Sequence, residues 1–293
     1  MDFESIEQDI AAAMGKPFQV EKTHTIAGGC INEALCLEGA GQRYFLKHNR
    51  APQLPMFEAE AAGLEEILRS AAIRAPEPVA SGTAAGRSWL ALEYVPFGPT
   101  ANNTSTLLGE QLAAMHRHSA DQFGWQRDNT IGATPQPNPK SGDWVRFLAE
   151  QRLGFQLSIA RDNGAGSQLL DQGERLVERL PRFFDSYTPC PSLLHGDLWG
   201  GNWSTDESGN PVIFDPAVYY GDREADLAMT ELFGGFDDRF YQSYRSSWDI
   251  DPGYATRKVL YNLYHILNHF NLFGGGYAQQ AEDMIDQLNA EVS

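Results

Sequence analysis

The chain lacks several features that would place it in particular classes of protein. None of its 293 residues belongs to an apolar run of about 18, the length that a membrane-spanning helix needs, so we expect no membrane partner. Its first residues include acidic side chains and no basic region before an apolar stretch, which argues against a secretory signal. Basic residues number 22 against 39 acidic ones, and the net charge of −17 argues against binding to nucleic acids.

Cysteine and lysine are scarce, and each shortage leads to a prediction. The three cysteines, Cys30, Cys36 and Cys190, do not have the spacing of metal ligands, so we expect a cytoplasmic protein without a structural disulfide or a zinc site. Only five lysines occur, and one of them, Lys47, lies within the strand-like run FLKH. A charged side chain in the middle of an apolar strand is costly to bury, so Lys47 is a functional candidate.

The first third of the chain predicts strands and one helix. Hydrophobic residues make up 42% of the sequence, which is enough for a core. The β-prone runs Glu33–Leu37 and Arg43–His48 flank a Gly-Ala-Gly turn and predict a hairpin. Apolar residues at helical spacing predict a helix over Met56–Ser70. Two further strands, Val79–Gly82 and Trp89–Val95, flank an Ala-Ala-Gly turn.

The remainder of the chain is mainly helical. The proline- and glycine-containing segment Pro96–Asn103 predicts a connector, and Ser192–Ala217 predicts a hairpin with its turn at Asp206–Asn210. We therefore predict an α+β fold with a β-rich N-terminal lobe over 1–95 and a mainly helical C-terminal lobe over 104–293. The helices predicted in the second lobe are Thr106–His118, Trp144–Arg161, Ser167–Tyr187, Glu224–Phe233, Tyr254–Phe273 and Tyr277–Glu291.

The strongest functional pattern lies in the predicted hairpin. His195-Gly196-Asp197 is followed five residues later by Asn202 and eighteen residues later by Asp215. Phosphoryl transfer from ATP needs a carboxylate that accepts the proton of the attacking hydroxyl and two oxygen ligands that hold Mg²⁺. Asp197 has the position of that carboxylate, and Asn202 and Asp215 have the positions of the ligands. Each piece alone is typical of a turn, but the three in this order predict phosphoryl transfer.

A glycine-containing loop joins a candidate strand before it to the first predicted hairpin. It comprises Gly28, Gly29, Cys30, Ile31 and Asn32. Glycines allow backbone N–H groups to approach phosphates closely, although paired glycines more often form an ordinary turn. Backbone amides there would favour the thiolate of Cys30, and the sequence leaves open whether that thiol is redox-regulated.

Lys47 lies in the second strand after this loop, where kinases place the lysine that contacts the α- and β-phosphates of ATP. An isolated strand lysine usually faces solvent, so its neighbours decide the interpretation. Glu60 lies three residues from Phe57 and four from Leu64 on the predicted helix, and therefore shares their buried side. A buried carboxylate needs a cationic partner, which favours a pair of Lys47 with Glu60 over one with Glu58.

The last predicted strand of the N-terminal lobe ends at Glu93, Tyr94 and Val95, directly before the connector. In a two-lobed kinase this segment is the hinge, whose backbone groups contact the adenine of ATP. We therefore include these three residues among the predicted ATP-binding residues.

The chain after Asp215 favours a small acceptor. A protein kinase needs a long segment there to dock a peptide, whereas a helix start is predicted here at Arg223–Asp226. Arg223 and Asp226 have positions that suit bracing of that helix, and a structural role is favoured for Asp226 over contact with the substrate. His116 is typical of a core histidine, and the spacing of His265 and His269 favours packing, since no glutamate completes a metal motif.

These motifs together resemble the fructosamine kinase (ketosamine-3-kinase) family, within the aminoglycoside-phosphotransferase-like kinases. The resemblance covers nearly the whole chain, and Gly200 stands where relatives often carry serine. The segments that carry it are GGCIN (Gly28–Asn32), FLKHN (Phe45–Asn49), MFEAEAAGL (Met56–Leu64), LAAMH (Leu112–His116), FGW (Phe123–Trp125), NTIGATPQPN (Asn129–Asn138), the pair Asp143-Trp144, HGDLWGGNW (His195–Trp203) and FDPAVYYGDREADLAM (Phe214–Met229).

The resemblance implies a two-lobed protein-kinase-like fold and an activity. It implies that Asp197 is the catalytic base, that Asn202 and Asp215 bind Mg²⁺, and that Lys47 and Glu60 anchor the phosphates of ATP. It also implies phosphorylation of the 3-hydroxyl of a sugar attached to an amine, after which the product breaks down and frees the amine. The residues that it places beside the sugar are Trp199, Thr134, Gln136, Asp222 and Arg223.

Several alternatives stay open at the level of sequence. The acceptor could be an aminoglycoside, choline or homoserine instead of a ketosamine, and the chain could be an inactive kinase-like binding module. The amine could be a free small molecule or a glycated lysine of a protein. The oligomeric state is not readable from the sequence.

Overall fold

A computed structural model describes residues 3–26 and 31–292. The hairpin predicted within Ser192–Ala217 lies far along the sequence, but it belongs to the same compact unit as the N-terminal part of the chain. The predicted lobe boundaries at 95 and 103 stay predictions. The chain divides into two compact units, Met1–Thr104 with Trp203–Pro216 and Ser105–Asn202 with Ala217–Ser293.

The first unit is built on a five-stranded antiparallel sheet. Its N-terminal elements are α1 (Glu4–Met14), β1 (Lys22–Ile26), β2 (Glu33–Gly39), β3 (Gln42–Arg50), a 3-10 helix (Ala51–Gln53), α2 (Leu54–Arg69), β4 (Pro78–Ala84) and β5 (Arg87–Glu93). The strand order is β1-β2-β3-β5-β4, and each neighbouring pair is antiparallel. The two predicted hairpins and the predicted helix are therefore confirmed, β1 is the strand expected before the glycine-containing loop, and α1 is an addition.

Tight turns with a left-handed backbone close both of these hairpins. Ala40 and Gly41 join β2 to β3 with φ values of 49° and 72°, and Ala85 and Gly86 join β4 to β5 with φ values of 49° and 76°. Two successive positive φ angles are typical of a type I′ turn, whose twist matches that of the flanking strands. The turns set the strand register and thereby the position of Lys47 on β3.

A layer of apolar side chains joins α1 to the sheet. Ile6 and Ile10, one helical turn apart, are fully buried in one cluster with Leu37, Leu46 and Trp89. These two isoleucines are the only buried side chains among the described residues of α1. Two apolar contacts are too few for a recognisable helical period, which explains why the sequence pattern does not predict this helix.

The second unit is mainly helical. The helices predicted over Tyr254–Phe273 and Tyr277–Glu291 are confirmed, and the one predicted from Ser167 ends at Arg179, because Pro181 lacks the N–H that an α-helix needs. No helix among the described residues is long and apolar enough to cross a membrane. The elements of the second unit are α3 (Thr104–His116), β6 (Asn129–Ile131), β7 (Thr134–Gln136), α4 (Trp144–Phe147), a π-helix (Leu148–Leu153), α5 (Gly154–Asp162), α6 (Ser167–Arg179), a 3-10 helix (Leu180–Phe184), β8 (Ser192–Leu194), β11 (Tyr219–Gly221), α7 (Glu224–Leu232), α8 (Asp238–Ser247), α9 (Tyr254–Phe273) and α10 (Tyr277–Glu291).

The segment Ser192–Ala217, which the sequence predicts as one hairpin, contains a hairpin and a separate strand, β8. β9 (Trp203–Thr205) and β10 (Pro211–Ile213) pair around the predicted turn and belong to the first unit. β8 differs from the predicted arrangement, because it pairs antiparallel with β11 in the second unit. The chain therefore enters the hairpin from Asn202 and leaves it toward Asp215, while β8 and β11 remain in the helical unit.

His265 is a buried histidine of α9. Burial, together with the neighbouring charge of His269, lowers its pKa from 6.5 to about 3. The unfolded chain therefore binds a proton near pH 6.5 that the folded protein does not bind until about pH 3. It follows that the free energy of unfolding decreases as the pH falls through this interval.

We predict that His265→Gln weakens the pH dependence of stability. In urea denaturation at pH 7.5 and 5.5, the loss of unfolding free energy should be smaller in the variant than in the parent by about 1.4 kcal/mol. An unchanged dependence in His265→Gln would contradict the assignment.

Candidate active site

Lys47 is buried in the first unit and bound by two carboxylates. It lies on β3 between Ala34 of β2 and Leu90 of β5, and only 6% of its surface is exposed. Its Nζ lies 2.5 Å from Glu60 Oε1 and 2.5 Å from Asp215 Oδ1. The structure therefore brings together three of the residues that the sequence predicts as functional.

The two carboxylates stabilise the charge of the buried ammonium. Burial alone would lower the pKa of Lys47, but the charges of Asp215 and Glu60 outweigh burial and raise it. The pairing of Lys47 with Glu60 that the helical spacing predicts is present, and Glu58 lies on an exposed part of the same helix. Lys47 is therefore a fixed positive charge with a defined orientation.

Asp215 has an unusual backbone conformation. Its φ of 58° lies in the left-handed region, which an aspartate adopts more readily than most residues but at some cost. Such strain is often found at functional sites, where the surrounding structure holds it in place. The Asp215 side chain is 45% exposed, so it can meet a ligand while it contacts Lys47.

Arg74 ties the hairpin to the end of β5 within the first unit. Its guanidinium donates to Asp206 Oδ2 and to Glu93 Oε1, both at 2.8 Å. Asp206 in turn accepts the backbone N–H groups of Ser208 and Asn210, which closes the turn between β9 and β10. The hairpin that leads to Asp215 is therefore anchored at its turn.

The predicted hinge residues lie at the end of β5. The backbone N–H of Glu93 donates to Glu77 O at 2.8 Å, Tyr94 packs under the guanidinium of Arg43 at 4.6 Å, and Val95 is buried. Their contact with adenine stays a prediction.

The glycine-containing loop is described only in part. Gly28, Gly29 and Cys30 lie outside the described residues. Ile31 is exposed, and Asn49 of β3 donates to Asn32 Oδ1 at 2.8 Å. This bond fixes the point at which the loop enters β2.

The catalytic-loop candidate, His195–Asn202, is part of the second unit. The Asn202 side-chain amide donates to the carbonyl oxygen of Asp197 at 2.9 Å and to Asp197 Oδ2 at 3.2 Å. Gly196 has a φ of 82°, and a Cβ there would lie 2.1 Å from Ala217 O, so no other residue fits without a shift of the backbone. The structure thus places the predicted base, Asp197, and a predicted Mg²⁺ ligand, Asn202, in direct contact.

A buried carboxylate, Asp226, holds the start of this loop. It accepts the backbone N–H groups of His195 at 2.7 Å and Gly196 at 2.8 Å, and it contacts His116 Nε2 at 3.1 Å. His116 Nδ1 lies 2.7 Å from the hydroxyl of Tyr244. Burial would raise the pKa of Asp226, but these bonds and the histidine charge outweigh it and lower the pKa.

Asp226 thus braces the catalytic loop, and its predicted role in bracing its own helix stays a prediction. From the sequence, His116 is typical only of a core histidine, and Tyr244 carries no sign of a role at this loop. The spacing of residues so distant along the chain gives no signal for their contact.

The predicted sugar-contacting residues differ in their exposure to solvent. Trp199 is 40% exposed and follows Asp197 in the loop. Asp222 is fully buried, and its carboxylate accepts the hydroxyls of Tyr187 at 2.9 Å and Tyr261 at 2.5 Å. Burial raises the pKa of Asp222. Its predicted contact with a sugar therefore receives no support from its position.

The other three predicted sugar contacts are also buried. Arg223 lies over the ring of Trp248 at 4.1 Å and donates to Asp249 O. The side-chain amide of Gln136 donates to Asn129 Oδ1 at 2.8 Å and to Ala217 O at 3.1 Å. Thr134, at the other end of β7, is 5% exposed. These side chains are positioned to support the loops around them, and only Trp199 of the predicted set is open to solvent.

Comparisons with known proteins give the family. The sequence profile of the fructosamine kinase family matches residues 2–291. The chain belongs to the fructosamine kinase family. A relative from Synechocystis sp., named "Probable ketoamine kinase", is 50% identical over 97% of this chain and 96% of its own. The chloroplastic protein-ribulosamine 3-kinase of Arabidopsis thaliana is 42% identical over 93% of this chain and 84% of its own.

Solved structures agree with the family and its wider fold. A crystal structure named for fructosamine-3-kinase, from Haemophilus somnus, has a TM-score of 0.89 and 29% identity over 97% of this chain and 96% of that one. An aminoglycoside phosphotransferase in complex with AMP-PNP and hygromycin B has a TM-score of 0.63 and 15% identity over 98% of this chain and 99% of that one. The predicted kinase-like α+β fold is therefore confirmed.

We predict that Asp226→Asn loosens the catalytic loop. An amide cannot accept both backbone N–H groups and carries no charge, so one buried donor loses its partner. Urea denaturation should show a loss of about 3 kcal/mol, and the amide of Gly196 should exchange hydrogen faster than in the parent. The same substitution at the exposed Asp238 of α8 should change neither quantity. Unchanged exchange at Gly196 would contradict this role.

Proposed function

We propose that this protein transfers the γ-phosphoryl group of ATP to a hydroxyl of a ketosamine, a sugar attached through carbon to an amine. The observation that carries the proposal is the buried Lys47, which is held by Glu60 of α2 and by Asp215; a strand lysine paired with a helix glutamate is a part that kinases use for phosphoryl transfer. Membership of the fructosamine kinase family supports the acceptor class. Relatives named for ketoamine and ribulosamine kinases support it further.

Each of the predicted site residues has a separate role in the proposed reaction. Asp197 accepts the proton of the attacking sugar hydroxyl, whose oxygen forms a bond to the γ-phosphorus while the bond to the β-phosphate oxygen breaks and ADP leaves. Asn202 orients Asp197 through its side-chain amide. Lys47 neutralises phosphate charge, and the loop Gly28–Asn32 and the hinge Glu93–Val95 hold the nucleotide.

Mg²⁺ fits the oxygen-donor chemistry of two residues. The carboxylate of Asp215 and the amide oxygen of Asn202 are the hard ligands that this ion prefers. When bound, Mg²⁺ would neutralise the charge of the phosphates. Among the described residues, no group of three or more His, Cys, Asp or Glu side chains could hold a metal, but Mg²⁺ needs only one or two protein ligands beside the phosphates.

We further propose that the 3-hydroxyl of the sugar is phosphorylated and that the product then breaks down to release the amine. A relative named for 3-kinase activity supports this position. The proposed compartment is the cytoplasm, and the two described cysteines, Cys36 and Cys190, are free thiols in keeping with a reducing environment.

The experiment that tests the acceptor class is an ATP-consumption assay with ribulosyl-lysine, fructosyl-lysine, an aminoglycoside, choline and homoserine. Phosphate on the 3-hydroxyl of a ketosamine, located by NMR of the product, is the expected result. Turnover of another acceptor alone would overturn the ketosamine proposal. The absence of any turnover, with no thermal shift by ATP and Mg²⁺, would favour a binding module.

We predict that Asp197→Asn lowers kcat by roughly 10²–10⁴, because the amide cannot accept the hydroxyl proton. The affinity for ATP should be largely kept, since the phosphates are bound by other residues. Initial rates and a nucleotide titration measure the two effects separately. The exposed Asp185 provides a matched control, and Asp185→Asn should retain the parent's rate. A parent-like rate in Asp197→Asn would disprove its role as the base.

A further inference from the structure

Five aromatic rings form a continuous row that begins at the catalytic loop. The ring centroids of Trp199 and Phe233 are 6.5 Å apart, and those of Phe233 and His269 are 5.1 Å apart. His269 lies 5.7 Å from Phe273 and 5.1 Å from Tyr277. All five belong to the second unit, and we call them the aromatic row.

The aromatic row is unusually open to solvent. Trp199, Phe233 and Phe273 are 40%, 44% and 60% exposed, and they are half of the six exposed large hydrophobic residues among those described. Single exposed apolar side chains are ordinary, but a contiguous exposed patch usually marks a binding surface. We therefore expect the row to bind a ligand that covers its exposed rings.

The catalytic loop fixes the first ring of the row. A Cβ at Gly201 would lie 2.3 Å from the ring of Trp199, so the ring lies against bare backbone. A Cβ at Gly235, directly after α7, would lie 2.6 Å from the Cα of Gly200. The turn that follows Phe233 is thus in close contact with the catalytic loop, and the row is continuous with the site of the proposed base.

His269 adds a polar group to the middle of the row. Its Nδ1 lies 2.8 Å from the carbonyl oxygen of His265, and a carbonyl can only accept a hydrogen bond. The proton of the neutral ring is therefore on Nδ1, which leaves Nε2 as the acceptor. The row thus combines π faces, which attract cations and C–H groups, with one acceptor for an N–H donor.

This chemistry matches one part of the proposed substrate. A ketosamine carries a protonated secondary amine beside the sugar, and on a lysine side chain this amine continues into an alkyl arm. Three successive ring contacts, with centroid spacings of 6.5, 5.1 and 5.7 Å, lead from Trp199 to Phe273 and supply rings beyond the one beside the sugar. The net charge of −17 disfavours a free amino acid, whose carboxylate would lie next to the amine, and favours an arm whose only charge is positive.

We propose that the aromatic row is a subsite for the ammonium and alkyl arm of a ketosamine formed on a lysine side chain. This proposal rests on the proposed function. Trp199 contacts the sugar and its amine, and Phe233, His269, Phe273 and Tyr277 bind the arm beyond it. The row then determines which amine the enzyme prefers, while Asp197 and the nucleotide site determine the chemistry.

The test compares two acceptors that carry the same sugar. One is ribulosyl-lysine within a short peptide with blocked termini, and the other is ribulosyl-methylamine, which has no arm. Phe273→Ala should raise KM for the peptide acceptor roughly fivefold, with kcat unchanged, and should leave KM for ribulosyl-methylamine unchanged. Phe273→Trp restores a ring and should return KM for the peptide to the parent's value.

Met14→Ala, at another exposed apolar residue, is the matched control and should affect neither acceptor. Equal changes for both acceptors in Phe273→Ala, or no change for either, would overturn the subsite while the proposed function stands. A parent enzyme that phosphorylates neither acceptor would instead refute the proposed function, and the subsite with it. Thermal unfolding of each variant confirms that the fold is intact.

Discussion

The burial of one ammonium group governs the arrangement of the first unit. Lys47 lies in the middle strand of the sheet with little exposure, and a charge in that position is tolerable only beside opposite charges. α2 supplies Glu60, and the segment after β10 supplies Asp215. A hairpin from late in the sequence is thereby held with the N-terminal sheet, and the electrostatic requirement of one side chain brings distant segments together.

The second unit uses a carboxylate in a comparable way. Asp226 is buried on α7 and binds backbone N–H groups of the catalytic loop, so the position of the loop is set by a helix that follows it in the chain. A loop anchored to a helix is more precise than one anchored to another loop. In each unit a partly exposed side chain with a proposed role, Asp215 or Asp197, therefore contacts a buried one, Lys47 or Asn202.

Much of this arrangement follows from local sequence. Alternating apolar residues and Gly-containing turns predict the hairpins, and helical spacing distinguishes Glu60 from Glu58 before any contact is known. The order of Asp197, Asn202 and Asp215 predicts a phosphoryl-transfer site because that chemistry needs one base and two oxygen ligands. These features depend on neighbours that are close in the chain.

The rest depends on contacts that local sequence does not encode. Asp222 and Arg223 occur in a polar run that suggests a surface, yet they are buried because Tyr261 of α9 and Trp248, directly after α8, cover them. The pairing of β8 with β11 likewise joins segments on either side of the hairpin. The aromatic row is assembled from a loop, the end of α7 and two C-terminal elements, so its members have no shared period.

The two I′ turns of the first unit carry a consequence for protein engineering. Ala40 and Ala85 are exposed, and each adopts a conformation in which its methyl group is crowded by the following carbonyl oxygen, at a cost of roughly 1–2 kcal/mol. Asparagine or glycine adopts this conformation more readily, and the neighbouring glycines, Gly41 and Gly86, face open space. Replacement of Ala40 and Ala85 should therefore raise the thermostability of the enzyme at two solvent-facing loops that take no part in its chemistry.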